Sequence, residues 1–341
     1  MTVVINMRDG LDRRKIKIAA KFIREGKLVA FPTETVYGLG TDALNEKAVR
    51  RIFEAKGRPA DNPLIVHIAD FEQIYELARE VPREAEILAE YFWPGPLTMV
   101  LPKKSNVPRV TTGGIDTVAI RMPAHEIALG LIRASGRPIA APSANISGKP
   151  SPTLAEHVVD DLYGRIECII DGGEVKIGVE STVLDLTTKP PTLLRPGGLP
   201  LEEIEKIIGK VKIHPVIKGK AVDVAKAPGM KYKHYAPNAQ VIVIEGSHEK
   251  VREKIKELLN EYKRKGIKVG VMATGDFYDA DAYINLGNSE EEIARNLFRA
   301  LRELDKSGVD IILAEGVEEK GLGLAVMNRL RKAAGYKIVR A

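Results

Sequence analysis

The sequence predicts an α/β protein with a larger N-terminal domain built on a mixed sheet and a smaller C-terminal domain built on a parallel sheet. Short apolar runs typical of buried strands are interspersed with stretches in which apolar residues recur at helical spacing. The chain has 341 residues, which is long for one domain and suits two. Hydrophobic residues make up 44% and charged residues 29%, as in water-soluble globular proteins.

In the N-terminal part, helices and strands follow each other without a strict repeat. The first helix is predicted over 12–24, where apolar residues recur at helical spacing before Gly26. Further helices are predicted over 45–55, 71–79, 82–92, 125–134, 153–161 and 201–208. Strands are predicted over 28–31, 64–68, 97–101, 117–121, 138–141, 166–170, 182–186 and 192–195, and a loop over 32–40. Because strands occur both singly and in runs, we expect a twisted mixed sheet with helices packed on it.

Hydrophobic periodicity lapses over 210–239, which predicts a linker between a domain at 1–209 and a domain at 240–341. The C-terminal domain alternates regularly between strand and helix, which predicts a parallel α/β sheet. Its strands are predicted over 240–244, 267–272, 282–286 and 309–314, and its helices over 248–264, 290–305 and 322–334. This domain has neither a dinucleotide-binding glycine pattern nor a P-loop, so its sequence gives no support for nucleotide binding.

Charge and cysteine content limit the classes of function. The chain carries 52 basic and 46 acidic residues, a net charge of +6 that favours anionic ligands without indicating a dedicated nucleic-acid binder. The lone Cys168 cannot form an intrachain disulfide, and the first residues do not resemble a signal peptide. No apolar run reaches membrane-spanning length, and the His and Cys residues show no metal-ligand spacing. We therefore expect a cytoplasmic protein that has no membrane partner.

The stretch 56–63, Lys-Gly-Arg-Pro-Ala-Asp-Asn-Pro, is the principal candidate for an anion site. Arg58 can bind phosphate or carboxylate oxygens in a forked geometry, and Lys56 adds a second positive charge. Gly57 would allow a ligand to approach the backbone closely. The alternative is a solvated helix end with glycine after its last turn. The octapeptide alone does not decide between these interpretations.

Other polar clusters follow predicted strands. Arg121 and Arg195 end such segments, where an open sheet presents its crevice, although a solvated edge charge is an alternative. Ser143 and Asn145 point the same way on an extended segment, or else form an ordinary turn. His67 lies in an apolar strand, and two interpretations stay open for it: a residue that contacts a ligand, or a histidine that packs in the core. Since no nucleophile signature appears, catalysis would depend on positioning and electrostatics.

The end of the predicted linker, 228–237, contains two tyrosines, a histidine and two lysines between prolines. This composition is unusual for a linker. It is consistent with a lid that folds over a polyphosphate, with Tyr235 and its neighbours closing over the phosphates. The alternative is a loop docked between domains.

Taken together, these stretches resemble the threonylcarbamoyl-AMP synthase family in its long form. The motifs that carry the resemblance are at 32–39, 56–58, 63–64, 93–98, 118–123, 142–145, 181–182, 194–197 and 228–237. The resemblance implies an N-terminal YrdC-type domain, a linker and a small Rossmann-like C-terminal domain. It also implies an enzyme that condenses L-threonine, bicarbonate and ATP into L-threonylcarbamoyl-AMP and pyrophosphate. A separate transferase would pass the product to tRNA, beside the anticodon.

The resemblance also implies residue roles. The residues expected to bind ATP are Lys56, Arg58, Asn62, Thr117, Ser143, Asn145, Ser151, Arg195 and Tyr235. Those expected to line the threonine pocket are Thr35, His67, Arg121, Ala141 and Ser181. Lys56 and Arg58 would serve catalysis, and Arg121 would pair with the threonine carboxylate. Magnesium is expected with ATP, its protein ligands are left unassigned, and Glu34 is a candidate for an outer-sphere role only.

Two other classes of function stay open from the residues. An RNA-binding module would use the basic face of the sheet, but the chain lacks an interleaved aromatic and basic stripe, so at most a weak RNA contact is expected. Another adenylate-forming or carbamoyl-transferring enzyme would use a different acceptor. Turnover of ATP to AMP and pyrophosphate separates the synthase from the RNA-binding module. A requirement for both threonine and bicarbonate separates it from the other enzymes.

Overall fold

The computed structural model describes residues 1–219, 225–228, 230, 234–275 and 277–341. The chain divides into two compact units. The first unit comprises Met1–Ser147 and Ser151–Lys231, and the second comprises Gly148–Pro150 and Tyr232–Ala341. The domain limits predicted from the sequence, 209 and 240, stay a prediction. Part of the predicted linker, Lys212–Ile213, is a strand of the first unit's sheet.

The first unit contains a mixed sheet with helices. Its strands β1 to β11 are Val3–Asn6, Val29–Phe31, Gly38–Asp42, Ile65–His67, Leu97–Pro102, Thr117–Arg121, Ile139–Ala141, Cys168–Asp171, Thr182–Asp185, Thr192–Arg195 and Lys212–Ile213. Its helices α1 to α7 are Arg13–Arg24, Glu46–Lys56, Ile74–Leu77, Arg83–Phe92, Glu126–Ser135, Ala155–Leu162 and Leu201–Ile208. The strand order is β1-β8-β2-β3-β7-β4-β6-β5-β9-β10-β11, with both parallel and antiparallel neighbours. The predicted mixed sheet is confirmed.

Helix α1 shows how the sequence sets the local structure. The Asp12 side chain accepts hydrogen bonds from the backbone N–H groups of Arg14 and Lys15, which caps the helix at its start. The apolar residues from Ile16 to Ile23 face the core, where they pack with α5 and with β2 and β8. The amphipathic spacing read from the sequence is therefore the spacing that buries this face.

The prediction of a loop over 32–40 is wrong for its last residues, because Gly38–Asp42 forms strand β3 between β2 and β7. The glycines at 38 and 40 suggested a loop, but close packing within the sheet requires a residue without a side chain. A Cβ atom on Gly40 would lie 2.5 Å from Ile139 Cγ2 and 2.7 Å from the Phe31 ring. The two neighbouring side chains occupy the space that a larger residue would need.

The helix predicted over 71–79 is also shorter than expected. The structure has a 3₁₀ turn at Phe71–Gln73 followed by the single helical turn of α3. Ala78 is extended, and its backbone N–H still bonds to the Ile74 carbonyl, so the helix ends before the predicted limit. The edge strand β1 was not predicted, because Val3 and Val4 are 41% and 48% exposed and four residues give little periodicity.

The second unit contains a parallel sheet, which confirms the predicted strand and helix alternation. Its strands β12 to β16 are Gln240–Glu245, Val269–Ala273, Ala282–Asn285, Ile311–Glu315 and Ile338–Arg340, and its helices α8 to α10 are His248–Arg264, Glu290–Lys306 and Gly323–Ala333. The strand order is β14-β13-β15-β12-β16, and every neighbouring pair is parallel. Strand β16 lies beyond the predicted elements. Across the described part of the chain, no helix is long and apolar enough to cross a membrane.

Candidate active site

The end of helix α2 presents the two cations of the octapeptide. Gly57 has the left-handed conformation, with φ of 63°, and the Arg58 N–H bonds back to the Phe53 carbonyl at 2.9 Å. Glycine is needed here because other residues adopt this conformation at a cost. Lys56 and Arg58 are only 2% and 9% exposed. Gly57 thus ends the helix as the alternative interpretation expected, but the two side chains are not solvated.

Lys56 lies against the Ser-Ala-Asn segment. Its Nζ donates to the carbonyl oxygens of Ser143 and Asn145, at 2.5 and 2.6 Å. The Lys56 carbonyl in turn accepts from the N–H of Ser147 at 2.9 Å, so this segment is joined to the end of α2 at several points. The structure therefore brings together the two sequence motifs that were expected to share a nucleotide.

Arg58 and Asn62 lie on the loop that follows α2. Arg58 Nη2 donates to the Asn62 carbonyl at 3.3 Å. The Asn62 side chain is fully buried, and neither its Oδ1 nor its Nδ2 has a hydrogen-bond partner among the described residues. A buried amide without partners is costly, so this side chain has the capacity to bind a ligand.

The ends of strands β4 and β6 place His67 beside Arg121, since the two residues are register partners. The Arg121 guanidinium is almost fully buried and lies 2.7 Å, from Nη2 to Oε2, from the carboxylate of Glu34. Its Nε donates to the Gly95 carbonyl at 3.3 Å. Neither Glu34 oxygen has a hydrogen bond of good geometry among the described residues, so the contact is ionic and leaves acceptor capacity.

His67 is held neutral. Burial, and after it the positive charge of Arg121, lower its pKa to about 3. Its Nδ1 lies 3.3 Å from the Ile139 carbonyl, as expected of a core histidine, and its ring meets Phe31 edge-on. At neutral pH the residue therefore offers an uncharged polar surface next to the Arg121 guanidinium.

A hydroxyl-lined group of residues lies at the start of β9 and the end of β10. Ser181 Oγ is 2.8 Å from Thr98 Oγ1 and 3.1 Å from Arg195 Nη2. Arg195 also donates to the Ser181 carbonyl through Nε and Nη2, at 3.1 and 2.9 Å. Ser151 joins this group because its hydroxyl donates to Glu180 Oε1 at 2.6 Å. Arg195 and Ser151, both expected at ATP, thus lie beside Ser181, expected at threonine.

Thr35 and Ala141 are also buried, and the register places Ala141 two residues along the sheet from His67 and Arg121. Thr35 Oγ1 is 2.9 Å from Thr33 Oγ1, in the turn before β3. Ala141 ends β7 and is the register partner of Ile65 on β4. Thr117 is different, because it opens β6 while Arg121 ends it, roughly 13 Å further along the strand. The Thr117 hydroxyl is buried, with no hydrogen-bond partner in the described part of the chain.

Tyr235 belongs to the second unit. It is buried there in a left-handed conformation, with φ of 65°, and its ring lies 5.2 Å from the Phe298 ring and 5.5 Å from the Arg329 guanidinium. The two lysines of the predicted lid, 231 and 233, lie outside the described residues. The closing role given to Tyr235 stays a prediction.

Three residues that adjoin the site, Glu34, Thr98 and Glu180, were not predicted as site residues. Glu34 was considered only for an outer-sphere magnesium role, although the structure pairs it with Arg121. Thr98 and Glu180 touch Ser181 and Ser151, and each belongs to or adjoins a motif that carried the resemblance. These residues could have been predicted from the sequence, because each is a carboxylate or a hydroxyl within or next to a motif. Within the described ranges, no group of three His, Cys, Asp or Glu residues is arranged to hold a metal ion.

Comparison with known proteins identifies the family. The model described as telomere recombination matches residues 21–197, and the model of the threonylcarbamoyl-AMP synthase C-terminal domain matches 199–335. The threonylcarbamoyl-AMP synthase of Pyrococcus abyssi is 72% identical over the whole of both chains. That of Bacillus subtilis is 52% identical, with 96% of this chain and 94% of the relative covered. A crystal structure of the P. abyssi protein Sua5, complexed with L-threonine, matches with a TM-score of 0.98 and 71% identity over 100% of both chains. The chain therefore belongs to the threonylcarbamoyl-AMP synthase family.

Proposed function

We propose that this chain condenses L-threonine, bicarbonate and ATP into L-threonylcarbamoyl-AMP and pyrophosphate, and that the product serves threonylcarbamoylation of tRNA next to the anticodon. The observation that carries the proposal is the L-threonine complex of a 71% identical protein that this chain matches over its full length. The geometry supports it independently, since the end of α2 and the Ser143 segment form one cationic site.

The proposed reaction makes one phosphorus–oxygen bond and breaks another. The threonine amine combines with bicarbonate to give a carbamate and water. A carbamate oxygen then attacks the α-phosphorus of ATP, and the bond to the bridging oxygen breaks as pyrophosphate leaves. Negative charge accumulates on both sides of the phosphorus, and preorganised cations stabilise such a transition state. Lys56, Arg58 and Arg195 are the buried cations proposed for this role.

The remaining residues proposed for ATP supply polar contacts rather than charge. Asn62 offers a buried amide whose Nδ2 and Oδ1 have no hydrogen-bond partner among the residues that the structure describes. Ser143 and Asn145 are held by Lys56, so the lysine both orients their segment and adds a positive charge. Proximity of these groups converts a reaction between separate molecules into one within a complex, which is worth several orders of magnitude in rate.

The threonine pocket is proposed at the strand ends where Arg121 lies. Arg121 would pair with the amino acid carboxylate, and its position is fixed by the ionic contact with Glu34. The hydroxyls of Thr35 and Ser181 would hold the threonine side chain. Neutral His67 adds a polar surface without a second positive charge, so the pocket stays matched to one carboxylate.

Magnesium is proposed to enter with ATP as part of the substrate. The described residues do not assemble a cage of three carboxylates or imidazoles, but magnesium commonly keeps several waters and binds largely through substrate phosphates. The site therefore suits a metal held mainly by the phosphates, which would neutralise part of their charge. We assign no protein ligand to the ion.

The enzyme class and partners follow from this reaction. Transfer of an adenylyl group to a carbamate makes the protein a nucleotidyltransferase. Its product is a mixed anhydride, so we propose that it passes to a separate tRNA threonylcarbamoyl transferase before water destroys it. These steps would take place in the cytoplasm, where tRNA is available.

Mass spectrometry of the reaction tests the proposal. The purified chain is incubated with ATP, magnesium, L-threonine and bicarbonate, and each component is then omitted in turn. Threonylcarbamoyl-AMP and pyrophosphate should form only in the complete mixture, and valine should not replace threonine because the hydroxyl contacts would be lost. ATP turnover that does not depend on threonine would contradict the proposal. Binding of RNA without ATP turnover would favour the RNA-binding alternative.

A further inference from the structure

The second unit has a crevice at the carboxyl ends of its parallel strands. The crevice is about 790 Å³, within the range of small-molecule sites. Four loops line it, those that follow β12, β13, β14 and β15, together with residues of α8, α9 and α10. A cavity built by several loops at this edge of a parallel sheet is the usual position of a ligand site in an α/β fold.

The strand order places this crevice at the point where the topology changes direction. From β12 the chain passes through α8 to β13, and from the neighbouring β15 it passes through α10 to β16 on the opposite side. Helix α8 packs on one face, where Val251 and Ile255 join the apolar cluster that contains Ile244. Helices α9 and α10 pack against each other outside that cluster. The loops after β12 and β15 therefore diverge and leave a crevice between them.

The polar groups of the crevice are already positioned. Glu315 is almost fully buried, and its carboxylate accepts from the Thr274 N–H at 2.5 Å and from the Thr274 hydroxyl at 2.9 Å. Its other oxygen is 2.8 Å from His248 Nδ1. Arg331 is held between Glu245, 2.8 Å from its Nε, and Glu319, 2.6 Å from its Nη2. Binding would therefore require little ordering of these side chains.

The charge of the crevice selects the class of ligand. Its lining contains four glutamates, at 245, 315, 318 and 319, and one arginine, which gives a formal charge of 1 − 4 = −3 with His248 neutral. Arg331 donates to two of these carboxylates, so its charge is already compensated for an incoming anion. Phosphates and nucleotides are disfavoured, and cations are favoured.

The lining is also partly apolar. Ile293, Val317 and Met327 contribute side chains next to the carboxylates. A hydrated metal ion gains nothing from such groups, whereas the methylenes of an organic cation do. We propose that this crevice binds a linear aliphatic amine with two or more ammonium groups separated by methylenes. The carboxylates would take the ammonium groups, and the apolar side chains would cover the methylenes.

Methyl NMR of the full chain tests this site, with spermidine as the probe. Protein labelled in its methionine methyl groups is titrated with spermidine, with magnesium chloride and with AMP at equal ionic strength. The Met327 signal should shift in a saturable way with spermidine alone, while the signal of Met99, buried in β5 of the first unit, should stay in place. No shift at Met327, or an equal shift with magnesium or AMP, would overturn the proposal.

A matched pair of variants assigns the binding to the crevice. Glu318→Gln removes one exposed lining carboxylate and should weaken spermidine binding about two- to five-fold at low salt. Glu253→Gln removes an exposed carboxylate of α8 that does not line the crevice, and should leave the affinity unchanged. Equal affinities in the two variants would place the amine elsewhere and overturn the assignment.

Discussion

Arg121 and Glu34 form an ion pair inside the first unit, with 2.7 Å between Nη2 and Oε2 and with each side chain about 95% buried. Removing one member of such a pair leaves a buried charge without its partner. Glu34→Gln should therefore lower the free energy of unfolding by about 3 kcal/mol. It should also raise KM for threonine about ten-fold or more, because Arg121 loses the contact that orients it. Urea unfolding and steady-state kinetics measure the two effects.

Glu46→Gln is the matched control for this prediction. Glu46 also contacts an arginine, with 2.6 Å to Arg50 Nη2, but that pair is more than half exposed. Its loss should change the free energy of unfolding by less than about 0.5 kcal/mol and leave KM as it was. The role given to Glu34 is incorrect if the two variants behave alike.

Lys56→Met should reduce formation of threonylcarbamoyl-AMP by at least about 100-fold, because it removes a buried cation proposed to stabilise the transition state. It should also destabilise the first unit by about 1–3 kcal/mol, since the carbonyls of Ser143 and Asn145 lose this donor. Product formation is followed by mass spectrometry and stability by urea unfolding.

Lys47→Met provides the comparison for this variant, because Lys47 lies on the exposed face of the same helix. It should change neither activity nor stability measurably. A Lys56→Met enzyme that retains full activity would remove the lysine from the proposed site. If Lys56→Met lowers the free energy of unfolding but turns over normally at low temperature, Lys56 has a purely structural role.

The low pKa of His67 should make the free energy of unfolding depend on pH. Its pKa is about 3 in the folded chain, against about 6.5 when unfolded, so the unfolded state binds the extra proton between these values. The contribution to stability is fully present above pH 6.5 and is lost as the pH falls toward 3, at up to about 1.4 kcal/mol per pH unit. His67→Gln should flatten unfolding free energy against pH over this window. An unchanged slope in urea titrations from pH 4 to 7 would refute the assignment.

Much of the fold could be predicted because local patterns agree with the final packing. Helices α7 and α8 begin and end where their spacing predicted, and β6 is the predicted strand. Strand β3 could not be recognised, because the reason for its glycines is the Phe31 ring and Ile139, which come from other strands. Propensity read along one segment does not contain that information.

In the candidate site too, local motifs could be predicted but contacts between distant segments could not. Lys56, Ser143 and Asn145 belong to short motifs that the family resemblance identified, but their mutual contact depends on the order of strands in the sheet. The pairing of Glu34 with Arg121 joins residues far apart in sequence, so the position of Glu34 within a motif did not indicate its partner. The sequence indicated which segments contain charged residues of the site, whereas the fold determines which of these residues contact each other.

A substitution at Gly40 tests whether close packing in the sheet requires glycine in strand β3. Gly40→Ala should destabilise the chain by about 1–3 kcal/mol, since its Cβ would overlap Ile139 and Phe31 in a packed sheet. Gly57→Ala has no atom within 4 Å of the new Cβ, so only its left-handed backbone opposes the change, at about 1 kcal/mol. Urea unfolding of both variants should rank Gly40→Ala as the more damaging, and the reverse order would contradict the packing argument.

The exchange of labelled pyrophosphate into ATP tests most directly whether one site holds ATP beside threonine. Exchange reports reversal of adenylate formation, so it occurs only when the group that attacks the α-phosphorus has formed. We predict exchange when threonine and bicarbonate are both present, and none when either is missing. Exchange with threonine alone would show that the amino acid carboxylate is adenylated instead, and would contradict the proposed reaction.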